Sequence, residues 1–101
     1  MALNGAQVRQ LRSMCNGLQV SVMVGKNNVD DGVVARAGEV LEAHELVKCS
    51  VLGGSDMDVK AAARELAVRT GAEVVQVIGR KFSLYRPTHR KDVRRIELVE
   101  G

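Results

Sequence analysis

Apolar and polar positions along the chain switch repeatedly between a helical and an extended period, and the switches mark out its elements. Val8, Leu11 and Cys15 follow i, i+3, i+7 spacing behind Asn4, which predicts a capped first helix stopped by Asn16-Gly17. Leu18–Val24 turns to period two, with Val20, Val22 and Val24 on one face and Ser21 and Met23 on the other, and reads as a strand. After the turn Gly25-Lys26-Asn27-Asn28, Asp30 is placed to cap a second helix with the stripe Val33, Ala37, Val40, Leu41, and Asp31 lies in its first turn, where negative charge suits the dipole. A second strand is expected over Leu46–Leu52. Gly53-Gly54-Ser55-Asp56 breaks the chain, and a third helix follows from Met57 to Thr70, capped by Ser55 or Asp56, burying Val59, Ala62, Ala63 and Leu66 and ending on Gly71. Val74–Ile78 and Lys81–Arg86 flank Gly79-Arg80, a two-residue hairpin turn, and Pro87 closes the last strand.

The predicted order is α-β-α-β-α-β-β, without repeat, linker or low-complexity segment. It implies an α/β fold, a two-layer sandwich in which helices cover one face of a four-stranded mixed sheet. Beyond His89 the chain is charged and expected to be loose, although Val93–Val99 has the composition of a further short strand. A division into residues 1–90, a single domain, and 91–101, a charged tail, follows.

Composition narrows the classes. A length of 101 residues fits one domain. No apolar run nears the roughly 18 residues of a membrane span, and the polar stretch opening at Met1 lacks a signal peptide's apolar core. A cytoplasmic protein without a membrane partner is expected. Cys15 and Cys49 stand far apart, outside any Cys-x-x-Cys spacing, and read as reduced core thiols.

Charge changes the picture once it is mapped. The formal total is only +3, but residues 80–95 hold seven Lys or Arg against Asp92 alone, a net of +6. Such a patch attracts a polyanion by phosphate neutralisation and counterion release. An ordinary solvated surface is the competing reading, and charge alone does not separate the two.

The stretch Val75-Gln76-Val77-Ile78-Gly79-Arg80-Lys81-Phe82-Ser83-Leu84-Tyr85-Arg86-Pro87 resembles the signature that ends the chloroplast RNA splicing and ribosome maturation (CRM) domain. The segments Val24-Gly25-Lys26-Asn27-Asn28 and His44-Glu45-Leu46-Val47-Lys48 and the second helix are similar to that family too, so the resemblance covers about the first ninety residues. It implies a fold like the KH domain and a translation-initiation-factor domain, and RNA binding. A lone copy resembles the bacterial YhbY type, which implies association with precursor large-subunit ribosomal RNA and a part in ribosome assembly. Several-copy plant members assist intron splicing, which leaves assistance to RNA folding as an alternative.

Beside that resemblance stands a physical reading of the residues. A glycine turn leading into a helix lets backbone amides approach phosphates, and KH domains clamp the backbone with a G-x-x-G loop. Asn28 stands where the family's second glycine usually does. Asn tolerates positive φ, so the turn is expected to survive. Asp30 and Asp31 bring negative charge close by. The candidate RNA-binding residues are therefore Gly25, Lys26, Asn27 and Asn28, the hairpin pair Arg80 and Lys81, then Arg86, Arg90 and Lys91, with Arg9 and Arg12 on one exposed face of the first helix.

Phe82 and Leu84 share one strand face and Ser83 and Tyr85 the other, so Phe82 reads as core and Tyr85 as a half-buried sheet residue. With so few aromatics, recognition by an array of stacked bases is not expected. His44 and His89 have no second ligand at zinc-type spacing. No Walker loop, nucleophile elbow or paired-carboxylate pattern is present, and Ser55 has no base partner in sequence. No catalysis, metal or cofactor is expected, and the protein is expected to act as a monomer. The rivals are a module docking an acidic protein, a small enzyme using Cys49 or His44, and a DNA-binding protein.

Overall fold

The computed structural model describes residues 3–25, 28–52 and 58–100. Its elements are α1 (Gly5–Cys15), β1 (Val22–Val24), α2 (Asp31–His44), β2 (Leu46–Val51), α3 (Val59–Thr70), β3 (Glu73–Ile78) and β4 (Lys81–Tyr85), the expected order. Local chemistry sets the helix starts. Asn4 and Gln7 form a reciprocal capping box on α1, with Gln7 N donating to Asn4 Oδ1 at 2.9 Å. Asp30 Oδ1 accepts from Val33 N at 2.9 Å to cap α2. The cap expected of Ser55 or Asp56 lies outside the described residues; Asp58 holds the N-cap position of α3 and makes no side-chain cap bond. Gly71 ends α3 at φ 72°, and Gly79 opens the hairpin turn at φ 59°, conformations a Cβ would disfavour.

The strands form one mixed sheet in the order β1-β2-β4-β3, with β1 parallel to β2 and the other pairs antiparallel. Its two faces carry separate cores. Val22, Val24, Val47, Cys49, Val51, Phe82 and Leu84 pack under α2 and α3. Leu46, Val75 and Tyr85 pack on the other side with Leu11 and Cys15 of α1. The layer expected over one face is thus made by α2 and α3, while α1 takes the opposite face. β4 is buried on both faces from Phe82 to Tyr85, so side chains were available to meet a helix on either side.

Two further expectations change. The first strand is three residues long, not seven. Lys48 Nζ donates to the carbonyls of Cys15 and Leu18, which holds the segment after α1 across the sheet until Ser21 N reaches Lys48 O at 2.9 Å. The tail, expected loose, is docked. Ile96 and Leu98 pack into the α1-side core, and Gln10 brackets Glu97 O and Val99 N at 2.7 and 2.8 Å. Two glutamine amides on α1, Gln7 and Gln10, therefore hold an extended segment with no strand partner. Cys15 and Cys49 are free thiols, one in each core.

Candidate nucleic-acid interface

Strand register decides which basic residues can act together. Along β4, Lys81 lies opposite Ser50 and Ile78, while Tyr85 lies opposite Leu46 and Glu73. Arg80 and Arg86 therefore sit beyond opposite ends of the sheet, about 20 Å apart at the rise of an extended chain.

The turn after β1 lies at the Arg80 end, because Val24 pairs with Val51. Leu52 joins the two. Its N donates to Val24 O at 2.9 Å, its Cδ1 lies 3.4 Å from where a Cβ on Gly25 would be, and its carbonyl accepts from Arg80 Nη2 at 2.8 Å. Arg80 Nε also donates to Val51 O at 3.1 Å, and Val51 N donates to Arg80 O at 2.8 Å. The guanidinium thus uses part of its fork on two neutral carbonyls and keeps its full charge at the surface. Lys81 beside it is exposed. Asn28 closes the turn by donating to Gly25 O at 3.0 Å and takes φ 58°, the left-handed conformation expected of it. Lys26 and Asn27 lie outside the described residues.

The two aspartates of this end have their own partners. Asp30 caps α2, and Asp31 pairs with Arg69 at 2.6 Å, where Arg69 Nη1 also donates to Val29 O. Lys60 and Arg64 are exposed one turn apart on α3 and line a hollow with Val74 and Val77, two cations that the mapping of charge by chain segment passed over.

The other end is built differently. Arg86 points inward, donating to Thr70 O at 2.6 Å and Gly38 O at 3.3 Å and pairing with Glu42 at 3.1 Å. Arg90 pairs with Asp92 at 2.8 Å, an exposed pair in which the arginine's proton is held more tightly and the aspartate's carboxyl is pulled below its ordinary range. Lys91 is exposed nearby. Glu45, 1% exposed with a left-handed φ of 64°, organises this end: its carboxylate accepts from Thr88 N at 2.7 Å and from Ile96 N, and its carbonyl accepts from Arg86 N. Burial, followed by the nearby Glu45 charge, pushes the Tyr85 phenol up. Nothing in the spacing of the sequence marks Glu45, since a carboxylate between a helix and a strand reads as surface. Arg9 and Arg12 lie on α1, which packs on the sheet face shared by Tyr85 and Lys81, with Arg12 Nε reaching Val75 O at 3.4 Å beside an irregularity in β3.

Of the eleven candidate residues, the fold brings Gly25, Asn28, Arg80 and Lys81 together. It sets Arg86, Arg90 and Lys91 at the far end and Arg9 and Arg12 on α1, over the tail half of the sheet face that also carries Lys81. His44 and His89 are exposed, and the described residues contain no group of three His, Cys, Asp or Glu side chains able to hold a metal. Among the described residues no helix is long and apolar enough to cross a membrane.

The model of the CRS1/YhbY (CRM) domain matches residues 3–86. The chain belongs to the CRM domain family. It is 38% identical over 96 residues to "Probable RNA-binding protein YqeI" of Bacillus subtilis, covering 95% of this chain and 98% of that one. A Haemophilus influenzae relative named "RNA-binding protein" is 35% identical, covering 90% and 92%. Among solved structures, a Staphylococcus aureus protein whose RNA binding is itself inferred matches with a TM-score of 0.79 and 33% identity, covering 97% of this chain and all of that one. The match to the CRM model ends at Arg86, so the docked tail lies outside the matched residues.

Proposed function

We propose that this CRM domain binds RNA through the hairpin end of its sheet, that the RNA belongs to precursors of the large ribosomal subunit, and that binding aids their assembly without catalysis. The carrying observation is the junction at Leu52, which ties the Gly25–Asn28 turn to Arg80 on one surface. The hairpin cations would neutralise phosphates while backbone amides of the turn approach them. The names of the relatives support RNA as the ligand. The family resemblance supports the ribosomal setting.

Binding of the purified protein to large-subunit ribosomal RNA, measured across salt, tests this. Each phosphate neutralised contributes roughly 0.9 to the slope of log K against log salt, so a slope of about −2 to −4 is expected for a surface of this size. A flat dependence removes the phosphate reading, and equal competition by duplex DNA removes the preference for RNA. Crosslinking in cells should recover large-subunit precursor RNA from particles that co-sediment with the protein. Recovery of unrelated RNA, or a complex that survives nuclease intact, would remove the assembly role.

A further inference from the structure

The α1-side face of the sheet is covered at only one end. Three cross-strand rows cross it. The row Leu46–Tyr85, with Val75, is sealed by α1 and the tail. In the middle row Lys48 and Gln76 flank Ser83, just past the C-terminus of α1. The third row runs across all four strands, Met23–Ser50–Lys81–Ile78, and no described element packs over it: Met23 is 50% and Ile78 65% exposed. Between the open row and the middle one lies a small cavity of about 110 Å³ lined by Asn16, Lys48, Gln76, Ile78, Lys81 and Ser83. Ser83 is only 1% exposed, yet its hydroxyl lacks a hydrogen-bond partner of good geometry, with only the Cys15 thiol, a weak acceptor, beside it. A buried hydroxyl left this way costs free energy unless a bound group meets it.

We propose that this cavity, with the Lys81–Ile78 end of the open row, holds one unpaired nucleobase of the bound RNA. The exposed side chain of Ile78, at the rim of the cavity, offers an apolar surface to a ring face. Ser83, Gln76 and Asn16 offer donors and acceptors to its edge. Lys81, adjoining Arg80 on the same hairpin, reaches the flanking phosphate. The described lining contains two lysines and no carboxylate, which suits a nucleotide better than an acidic or basic peptide. One base on an aliphatic surface differs from the stacked array that the scarcity of aromatics argues against. The proposal rests on the RNA-binding reading and adds to it a requirement for single-stranded RNA beside the duplex.

The test compares a blunt RNA duplex with the same duplex carrying an unpaired uridine tract, using wild type and the double variant Gln76→Ala, Ile78→Ser. The wild type should bind the tailed RNA about tenfold tighter, within the range one base contact supplies. The variant should lose that preference, keep its affinity for the blunt duplex and melt as the wild type does. Crosslinking of 4-thiouridine in the tract should mark peptides spanning 16–23 or 76–83. Equal wild-type affinity for both RNAs, a preference retained by the variant, or crosslinks confined to the Gly25 turn would overturn the nucleobase site while leaving RNA binding standing. A variant that loses both RNAs equally would show a backbone contact instead, also overturning it. No binding to either RNA by the wild type would overturn the RNA-binding reading, and this proposal with it.

Discussion

The two ends of the sheet both carry arginines, but they use them in opposite ways. At the hairpin end Arg80 bonds the carbonyls of Val51 and Leu52, which are dipoles without net charge, so its field persists outward. At the tail end Arg86 meets Glu42, Arg90 meets Asp92, and buried Glu45 adds a further negative charge. Arg86 and Arg90 are thus balanced at contact distance, which lowers the potential left for a polyanion. Guanidinium groups alike in sequence thus serve as a potential surface at one end and as internal ties at the other. The lesson is that a basic segment has to be divided by its hydrogen-bond partners before it is read as a binding site.

The strongest way to break the comparison is to remove the organiser of the tail end. Glu45→Ala leaves the amides of Thr88 and Ile96 without their acceptor, and loss of about 2–4 kcal/mol of stability is expected in denaturant titration. RNA affinity of the folded variant, measured well below its melting temperature, should match the wild type. A large loss of affinity there would mean the ends are coupled.

Next in size is a pair of charge reversals. Arg80→Glu with Lys81→Glu should weaken binding of structured RNA about a hundredfold at low salt and flatten its salt slope, since two phosphate contacts are replaced by repulsion. Arg90→Glu with Lys91→Glu should change affinity less than about threefold, because the tail end already holds compensating carboxylates. Filter binding with both variants decides it, and equal losses would erase the distinction between the ends.

The smallest effect concerns the sheet centre that both ends share. Burial pushes the Cys49 thiol from its ordinary 9.0 to about 12. The unfolded chain then loses its proton first as pH rises, so this contribution is intact below pH 9 and declines between about 9 and 12. Burial also pushes Cys15 up, although the Ser83 hydroxyl and the Lys48 charge partly offset it, and Tyr85 adds in the same direction. Stability should fall by about 1 kcal/mol per unit above pH 9, and Cys49→Ala should flatten that slope in alkaline melting curves. An unchanged slope would place the alkaline sensitivity elsewhere.

Much of the architecture was legible along the chain. Capping residues such as Asn4 and Asp30, the period switches and the glycines at 71 and 79 act through neighbours a few residues away, and their consequences can be read locally. The same holds for Asn28, whose left-handed backbone follows from its own side-chain chemistry. Side chains that act across the sheet were not legible in this way. Which face α1 covers, where the tail docks, that Glu45 is buried and that Arg86 turns inward all depend on partners distant in sequence, or on register. Sequence therefore determined the elements, their order and the existence of a cationic segment. Tertiary structure alone decided which of those cations share a surface, because pairing β4 between β2 and β3 sends Arg80 and Arg86 to opposite ends of a rigid sheet.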